Sequence, residues 1–314
     1  FPGIAAEHNL SLDKRGFDMA MEEQKRRGRM AWQEIGQSRV KTIYNRLAKE
    51  LKATKFKGYA KTTLKTEILA IIKDDKRVER AKAGDEIDII LDATPFYPEA
   101  GGQIGDRGTI TKREVKIKVL DTQRPLSEII VHRAKAIKGN IKKGDKVEAS
   151  IDIEKRLAAA RNHTATHLLQ GSLKKVLGKH VRQTGSFVSF DRLRFDLTHF
   201  APLTDEQLSR VEEMVNEKIR ENIKIEAKMM DFGEAKKRGA IFLAGEKYGR
   251  KVRTIKIGDF SLELCGGTHV KATGEIGLFK LVSESGVAAG VRRIEALTGK
   301  GACRFVKERE NLLS

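Results

Sequence analysis

The chain has 314 residues, enough for two or three domains, and a composition typical of proteins that form a packed core. Its 62 basic and 43 acidic side chains give a net charge of +19, which favours a polyanionic partner such as nucleic acid. Two cysteines cannot build a disulfide framework, and no run approaches the roughly eighteen apolar residues of a membrane span. We therefore expect a cytoplasmic protein without a membrane partner.

The basic residues are spread along the chain, with dense stretches at Lys25–Arg29, Lys236–Arg238 and Lys247–Lys256. Aromatic residues make up only 6% of the chain, which argues against a surface that stacks single-stranded bases. We expect mostly phosphate contacts to a folded RNA, and no DNA. The chain begins at Phe1 without an initiator Met and has no signal peptide, so we expect a piece of a longer protein.

The first part of the chain is predicted to be helical and the next part to be a barrel. Asp18–Ile35 has helical content, and apolar residues at helical spacing over Val40–Leu51 predict a second, amphipathic helix. Short runs broken by Gly, Asp and Pro then predict a small antiparallel barrel or curled sheet. The predicted strands are Leu64–Ile72, Glu86–Ala93, Gly108–Leu120, Ile129–Ala136 and Lys146–Ile153.

The second half of the chain is predicted to be an α+β layer in which helices pack against an antiparallel sheet. A long helix is expected over Ile153–Leu177, followed by a hairpin formed by Ser186–Phe190 and Leu193–Leu197. Thr204 with Gln207 three residues later is the pattern of a capped helix start. Alternating strands and turns follow as far as Ile294.

Two pairs of residues with metal-binding side chains share one spacing. His163 and His167 lie four apart on the predicted long helix and so on one face, and Cys265 and His269 repeat the interval. Either pair alone is weak support for a metal, but together they form a Cys/His₃ set, the kind of nitrogen and sulfur donors that zinc prefers. If all four bind, the tetrahedral shell is full, and the sequence leaves open whether zinc activates water or only shapes a pocket.

Small residues continue the His163 face of the helix. Ala160 lies about one turn before His163 and Gly171 about one turn after His167, where a packed helix would have Leu. This pattern predicts a cavity there rather than a core. A zinc peptidase is disfavoured, because Thr164 stands where such enzymes have the general-base Glu of their His-Glu-x-x-His motif.

Four stretches resemble the signatures of the editing domain of the alanyl-tRNA synthetase family, which free-standing alanyl-tRNA editing proteins share. They are Thr94–Asp106, Arg161–Leu169, Leu264–His269 and Gly290–Gly299. Phe17–Arg29 resembles the helical segment after the synthetase's aminoacylation domain, although the start at Phe1–Gly3 is less acidic than usual. The resemblance implies a tRNA-binding helical segment over 1–53, a β-barrel over 54–152, a zinc-binding editing core over 153–300 and the start of a C-terminal helix over 301–314.

The resemblance also implies an activity, namely hydrolysis of serine or glycine wrongly attached to tRNA(Ala), with zinc as cofactor and the tRNA acceptor end as partner. Such a site must accept serine and spare alanine, which requires a group that hydrogen-bonds the serine hydroxyl. By resemblance the candidates are Thr94, Thr166 and Gln183, although either threonine could simply cap or pack.

Further site candidates follow from the same resemblance. Gly101, Gly102 and Gln103 correspond to a stretch near the editing pocket, although glycines there could equally form tight turns between strands. Arg292 and Arg293 could hold RNA backbone or structural carboxylates, and we favour RNA.

Two other functions remain open at this stage. The editing domain of threonyl-tRNA synthetase uses a similar pairing of His and Cys motifs, although the stretch Phe96–Gln103 fits the alanyl family better. A non-catalytic RNA-binding module, in which a saturated zinc only holds the fold together, would explain the basic charge equally well.

Overall fold

The computed structural model describes Gly16 and residues 42–242 and 248–313. The chain divides into two compact units, Phe1–Leu51 and Lys52–Ser314. Among the residues described, no helix is both long enough and apolar enough to cross a membrane.

In the first unit the structure describes one helix, α1 (Thr42–Glu50), which falls within the predicted amphipathic helix. Tyr44 and Leu47 are buried, as their three-residue spacing on one face predicts. The predicted helix over Asp18–Ile35 and the basic stretch Lys25–Arg29 lie outside the described residues.

The second unit begins with eleven strands. They are β1 (Lys55–Phe56), β2 (Thr63–Lys73), β3 (Lys76–Val78), β4 (Arg80–Lys82), β5 (Glu86–Leu91), β6 (Ala93–Thr94), β7 (Gly108–Lys112), β8 (Val115–Leu126), β9 (Ile129–Lys138), β10 (Asn140–Lys142) and β11 (Lys146–Ile151). Six of them form a closed antiparallel barrel in the order β11-β7-β8-β9-β5-β2, because β11 pairs with both β7 and β2. The predicted antiparallel barrel is confirmed.

The barrel interior is filled by alternate side chains of its strands, mainly Ile, Val and Leu. One predicted strand is wrong in extent, since Gly108–Leu120 is split into β7 and the start of β8. Arg113 has φ 46, in the left-handed region, and turns the chain between them. Because apolar residues continue on both sides of this short polar turn, the sequence pattern resembled one continuous strand.

The remaining elements build a helix-and-sheet layer. They are α2 (Ile153–Leu177), β12 (Gln183–Val188), β13 (Leu193–Thr198), α3 (Asp205–Arg220), β14 (Ile225–Asp231), α4 (Phe232–Lys237), β15 (Lys251–Ile257), β16 (Ser261–Leu264), a 3₁₀ helix (Thr273–Ile276), β17 (Phe279–Ala288), β18 (Val291–Thr298) and α5 (Gly299–Leu313). Helices α2 and α3 pack on an antiparallel sheet in the order β12-β13-β18-β17, and β14, β15 and β16 form a second sheet. The α+β class is thereby confirmed.

Both long helices of this layer begin with a capping side chain. Asp152 accepts a hydrogen bond from the Lys155 amide at the start of α2, and α2 ends before Gly178, whose φ is +111. Thr204 and Gln207 form a reciprocal capping box at the start of α3, as predicted.

The barrel is joined to the start of α2 by a buried ion pair. Arg156 Nε lies 3.0 and 2.9 Å from the two carboxylate oxygens of Asp106, which follows β6. The same guanidinium donates to the carbonyl oxygens of Gly58 and Pro95. One side chain of α2 therefore ties three barrel segments to the helix.

The cavity predicted beside Ala160 and Gly171 is wrong in its position. Ala160 belongs to the apolar core, and a Cβ on Gly171 would lie 2.6 Å from the ring of Phe260. Because Gly171 has no side chain, the ring fits against the helix, so the contact is packing between α2 and the turn before β16.

Candidate metal centre

The four predicted ligand side chains meet at one point. His163 and His167 lie one turn apart on α2, and Cys265 and His269 lie in the loop after β16. Their ligand atoms all lie within 4.8 Å of one another, and Cys265 Sγ is 3.3 Å from Nε2 of both His163 and His269. Tetrahedral zinc, with Zn–S about 2.3 Å and Zn–N about 2.0–2.1 Å, would place neighbouring ligand atoms about 3.3–3.6 Å apart.

The ring of His163 is oriented by Gln103 of the barrel. The Gln103 amide oxygen accepts from the backbone N–H of Thr268 at 2.9 Å, and the amide nitrogen donates to the Thr268 hydroxyl at 2.9 Å. This fixes which side of the amide faces His163, whose Nδ1 then donates to the same oxygen at 2.7 Å. The Nε2 lone pair of His163 is thereby directed at Cys265.

The other two imidazoles are oriented in the same way by other oxygens. His167 Nδ1 donates a hydrogen bond to a carboxylate oxygen of Glu263, at 2.8 Å. The Thr164 hydroxyl gives its hydrogen to the Ala160 carbonyl at 2.8 Å, so it accepts from His269 Nδ1 at 3.2 Å. All three rings therefore present Nε2 to a common point, as metal-binding histidines do.

A metal ion would account for an otherwise unsatisfied group. His167 Nε2 is buried and makes no hydrogen bond within the described part of the chain. Burial alone would raise the pKa of the Cys265 thiol, but His163 lowers it well below the usual range and favours the thiolate. Burial opposes the charged form of His167, yet the Glu263 carboxylate raises its pKa to about 10. The residues therefore fit a zinc ion, whose binding would displace a proton from His167.

The loop that holds Cys265 is positioned by Arg253 on β15. Its guanidinium donates to the carbonyl oxygens of Cys265 at 3.0 Å and Gly267 at 2.8 Å, and it stacks 4.2 Å from the ring of Tyr59. The Tyr59 hydroxyl donates to the Gly266 carbonyl. Every carbonyl from Cys265 to Gly267 is thus held by a side chain of β15 or of the barrel.

A cavity of about 670 Å³ opens beside the four ligands. Its wall includes Thr166, Gln183 and Gly101, and His163, His167 and Cys265 also line it. The other polar and charged lining residues include Lys174, Arg182, Lys251, Arg253, Gln170 and Ser186. An ester with a phosphate backbone attached would therefore meet both hydrogen-bonding groups and positive charge here.

Two of the three predicted serine-contacting residues lie at this cavity. Gln183 Nε2 donates to the Ser186 hydroxyl at 3.0 Å, which holds the amide against the wall. The Thr166 hydroxyl donates to the Asn162 carbonyl at 2.9 Å, leaving its oxygen lone pairs as acceptors.

Thr94 is not among the residues that line the cavity; it is completely buried in the barrel. His132 Nδ1 donates to the Ile89 carbonyl at 2.9 Å, so the Thr94 hydroxyl donates to His132 Nε2 at 2.7 Å. It also accepts from the Phe96 amide. These bonds match the capping and packing alternative for Thr94, and its role in serine recognition stays a prediction.

The three residues of the predicted glycine-rich stretch, Gly101, Gly102 and Gln103, have different surroundings. Gly101 lines the cavity, whereas Gly102, with φ +79, brings the barrel loop against β12. A Cβ on Gly102 would lie 2.5 Å from the carbonyl oxygen of Ser186. Gln103 is fully buried and orients His163 instead of facing the cavity.

Both predicted RNA-binding arginines are engaged with carboxylates. Arg292 donates through Nη2 to Glu284 at 2.7 Å, and Arg293 donates through Nε and Nη2 to Asp196 at 2.8 and 2.9 Å. Each is a bidentate pair that joins β18 to a neighbouring strand, β17 through Glu284 and β13 through Asp196. The structure matches the carboxylate alternative, and an RNA contact by either arginine stays a prediction.

The sequence interpretation missed Glu263 and Thr164, which orient two of the ligands. Glu263 lies on β16, two residues before Cys265 in the loop that follows, and strand alternation continued past Leu264 would place both side chains on one face. Thr164 lies between the two histidines in the sequence of α2, directly after His163, so its side chain lies on a neighbouring face of the helix. The alternation of the strand was a usable signal for Glu263, whereas nothing in the sequence indicated Thr164.

Two family models match the chain. The one described as tRNA synthetases class II (A) matches residues 2–155, and the one described as threonyl and alanyl tRNA synthetase second additional domain matches residues 252–295. The second match includes Cys265 and His269. Curated relatives named alanine–tRNA ligase align over almost the whole chain, at 47% identity in Pelotomaculum thermopropionicum and 48% in Carboxydothermus hydrogenoformans.

The chain belongs to the alanyl-tRNA synthetase family. Each of these two alignments covers 99% of the chain but 36% of the relative, so the chain spans about a third of the length of the ligases it matches. A relative from Acetivibrio thermocellus is also 48% identical, and its alignment covers 99% of the chain and 35% of the relative. The expected resemblance to this family is confirmed.

Proposed function

We propose that the chain is the editing part of an alanyl-tRNA synthetase, and that it hydrolyses the ester of Ser-tRNA(Ala) and Gly-tRNA(Ala) at a zinc site. The observation that supports this best is the juxtaposition of four converging ligands with a polar, cationic cavity. Zinc bound there would supply Lewis-acid polarisation of the ester or a more acidic water. His163, His167, Cys265 and His269 would hold it.

Selectivity would come from the cavity wall. A serine side chain brings one hydroxyl, which the amide of Gln183 and the hydroxyl of Thr166 could pair with. Alanine would leave the remaining hydrogen-bonding positions of these groups without that partner, and such a mismatch discriminates far more strongly than one added methyl group. Glycine also lacks the hydroxyl, so this argument covers the serine ester, and the glycine ester would enter because it is small.

The tRNA end would be held by charge. Lys174, Arg182 and Lys251 line the cavity, and among its described lining residues the one carboxylate is Glu263, which is engaged with His167. Positive side chains at the rim attract the phosphates next to the ester and orient the terminal ribose toward the four ligands. We assign tRNA(Ala), through its acceptor end, as the partner.

The predicted division of the chain belongs to the same proposal. It consists of the tRNA-binding helical segment 1–53, the barrel 54–152, the editing core 153–300 and the start of a C-terminal helix 301–314. A cytoplasmic location also belongs to it and would keep Cys265 reduced for metal binding.

The test compares the deacylation rates of Ser-tRNA(Ala) and Ala-tRNA(Ala) by the native chain and by Cys265→Ala. Cys303→Ala is the matched control, because Cys303 is an exposed cysteine on α5. We expect rapid loss of serine with alanine spared, abolished in Cys265→Ala and unchanged in Cys303→Ala. Binding of tRNA without hydrolysis of either ester would contradict the proposal and indicate a zinc-stapled binding module.

A further inference from the structure

An exposed aromatic cluster lies where β13 ends. Phe200 is 83% exposed, and its ring centroid lies 4.8 Å from that of His199 and 5.9 Å from that of His180. The two imidazoles are themselves stacked at 5.2 Å, with 24° between their planes. The Phe200 ring therefore has the two imidazoles beside it and is otherwise open to solvent.

The cluster is held rigidly from behind. His180 Nε2 and His199 Nδ1 share a hydrogen bond at 2.9 Å, and the His199 amide donates to the Gly290 carbonyl. The Thr198 hydroxyl donates to the His180 carbonyl at 2.8 Å, which joins the two chain segments that supply the rings. These hydrogen bonds fix the two imidazoles that back Phe200, so a ligand stacked on Phe200 would not also have to order the rings behind it.

The cluster is close to the wall of the proposed editing cavity. His180 lies two residues before Arg182 and three before Gln183, both of which line that cavity. The Arg182 amide donates to the Thr198 hydroxyl, so the start of β12 and the end of β13 are fixed side by side. Extended chain advances about 3.3 Å per residue, so the rings lie within a few nucleotide lengths of the cavity.

The charge around the cluster favours an anionic partner over an apolar protein surface. Lys179 and Arg182, on the segment that bears His180, are both exposed. The titratable and charged groups that act on His199 are His180, Arg292 and Glu284, and the last two pair with each other. An open aromatic ring next to exposed positive charge is the arrangement that binds unpaired nucleotides, with the base stacked and the phosphate neutralised.

We propose that Phe200, backed by His199 and His180, stacks one of the unpaired nucleotides that precede the terminal adenosine of the tRNA. This inference rests on the proposed function, because it takes the tRNA 3′ end as the occupant of the neighbouring cavity. Phe200 acts in binding and has no part in ester hydrolysis. The expectation of mostly phosphate contacts stays, and this proposal adds one specific stacking site to it.

The test measures the dissociation constant for binding of fluorescently labelled tRNA(Ala) by the 314-residue chain. Phe200→Ala should weaken binding by about 5- to 150-fold, the range for removal of one base–aromatic stack. Phe200→Trp should bind nearly as the native chain does, because it keeps an aromatic face. Leu312→Ala is the matched control, since Leu312 on α5 is equally exposed at 83%, and it should leave binding unchanged.

A second RNA locates the contact. The same measurements are made with tRNA(Ala) that lacks its unpaired 3′ nucleotides, and the difference between native chain and Phe200→Ala should vanish. A difference that persists, or native-like binding of full-length tRNA by Phe200→Ala, would overturn the proposal. If native-like binding came with a changed oligomeric state, the occupant would be a protein surface.

These binding results do not depend on hydrolysis, so they stand even if the chain deacylates nothing. Where it does deacylate Ser-tRNA(Ala), Phe200→Ala should raise KM and leave kcat unchanged. A fall in kcat at unchanged KM would contradict a stacking role.

Discussion

Replacing Gly267 by alanine should damage the metal site through a single added atom. A Cβ at this position would lie 2.0 Å from Cε1 and 2.2 Å from Nδ1 of His163. Carbon atoms in contact sit about 3.5–4.0 Å apart, so the ring or the loop must move by about 1.5 Å. Metal–ligand distances tolerate only about 0.2 Å, so His163 cannot remain a ligand in its present place.

The neighbouring glycine is a matched control. A Cβ on Gly266 would meet only the Tyr59 hydroxyl, at 4.0 Å, and neither Gly266 nor Gly267 has a positive φ that disfavours alanine. We expect Gly267→Ala to weaken zinc binding by more than the roughly 10- to 100-fold typical of losing an outer partner of a ligand. Gly266→Ala should bind zinc as the native chain does.

The assay is a zinc competition titration against a chromophoric chelator, with urea unfolding of the metal-free proteins alongside. The unfolding data separate loss of a ligand from loss of the fold. Equal zinc affinities for Gly266→Ala and Gly267→Ala would refute the close packing of Gly267 on His163 and, with it, the position of that ligand.

Three further predictions concern single side chains. Gln103→Leu should weaken zinc binding by about 10- to 100-fold, because His163 loses the acceptor that orients it. Gln123→Leu, at a partly exposed glutamine of β8, is the control and should bind zinc as the native chain does. Both affinities are measured by chelator competition, and equal values would argue against the orienting role of Gln103. Burial lowers the pKa of His132 to about 4, below its unfolded value of 6.5, so the unfolded chain binds the extra proton between these values and stability falls as pH drops. Urea unfolding should show a loss of about 2 kcal/mol between pH 7 and pH 5 that is absent in His132→Gln; an equal loss in both would point to other groups. Asp106→Ala should reduce the free energy of unfolding by about 3–5 kcal/mol, because Arg156 stays buried without its carboxylate; a change under about 1 kcal/mol in urea unfolding would show that the two carbonyl acceptors suffice.

Local patterns in the sequence were sufficient to predict the elements that bear the ligands. The period of α2 places His163 and His167 on one face, and the capping pattern of Thr204 and Gln207 marks a helix start that the structure has. The equal spacing of the Cys265 pair suggested a shared site, and the structure brings all four side chains together. Zinc itself stays a prediction.

Long-range partners could not be predicted, because they depend on how the barrel meets the helical layer. Gln103 and His163 are 60 residues apart, and Gln103 and Thr268 are 165 apart. No local period relates them. Gly171 was misread for the same reason, because its lack of a side chain makes room for Phe260 from a distant turn.

Charge patterns were equally ambiguous without the fold. Arg292 and Arg293 could be matched with RNA or with carboxylates, and only the strand register places Glu284 and Asp196 beside them. Composition suggested no stacking surface, yet a low aromatic content says nothing about where a single exposed ring such as Phe200 lies.

We propose that the four converging side chains hold a zinc ion on which ester hydrolysis depends. The rate of Ser-tRNA(Ala) deacylation by the chain is measured after removal of zinc with a chelator and again after zinc is restored, with bound zinc measured in each sample. Hydrolysis should fall with the bound zinc and return with it, while tRNA binding persists throughout. An unchanged rate in protein shown to be free of zinc would rule out this dependence on zinc.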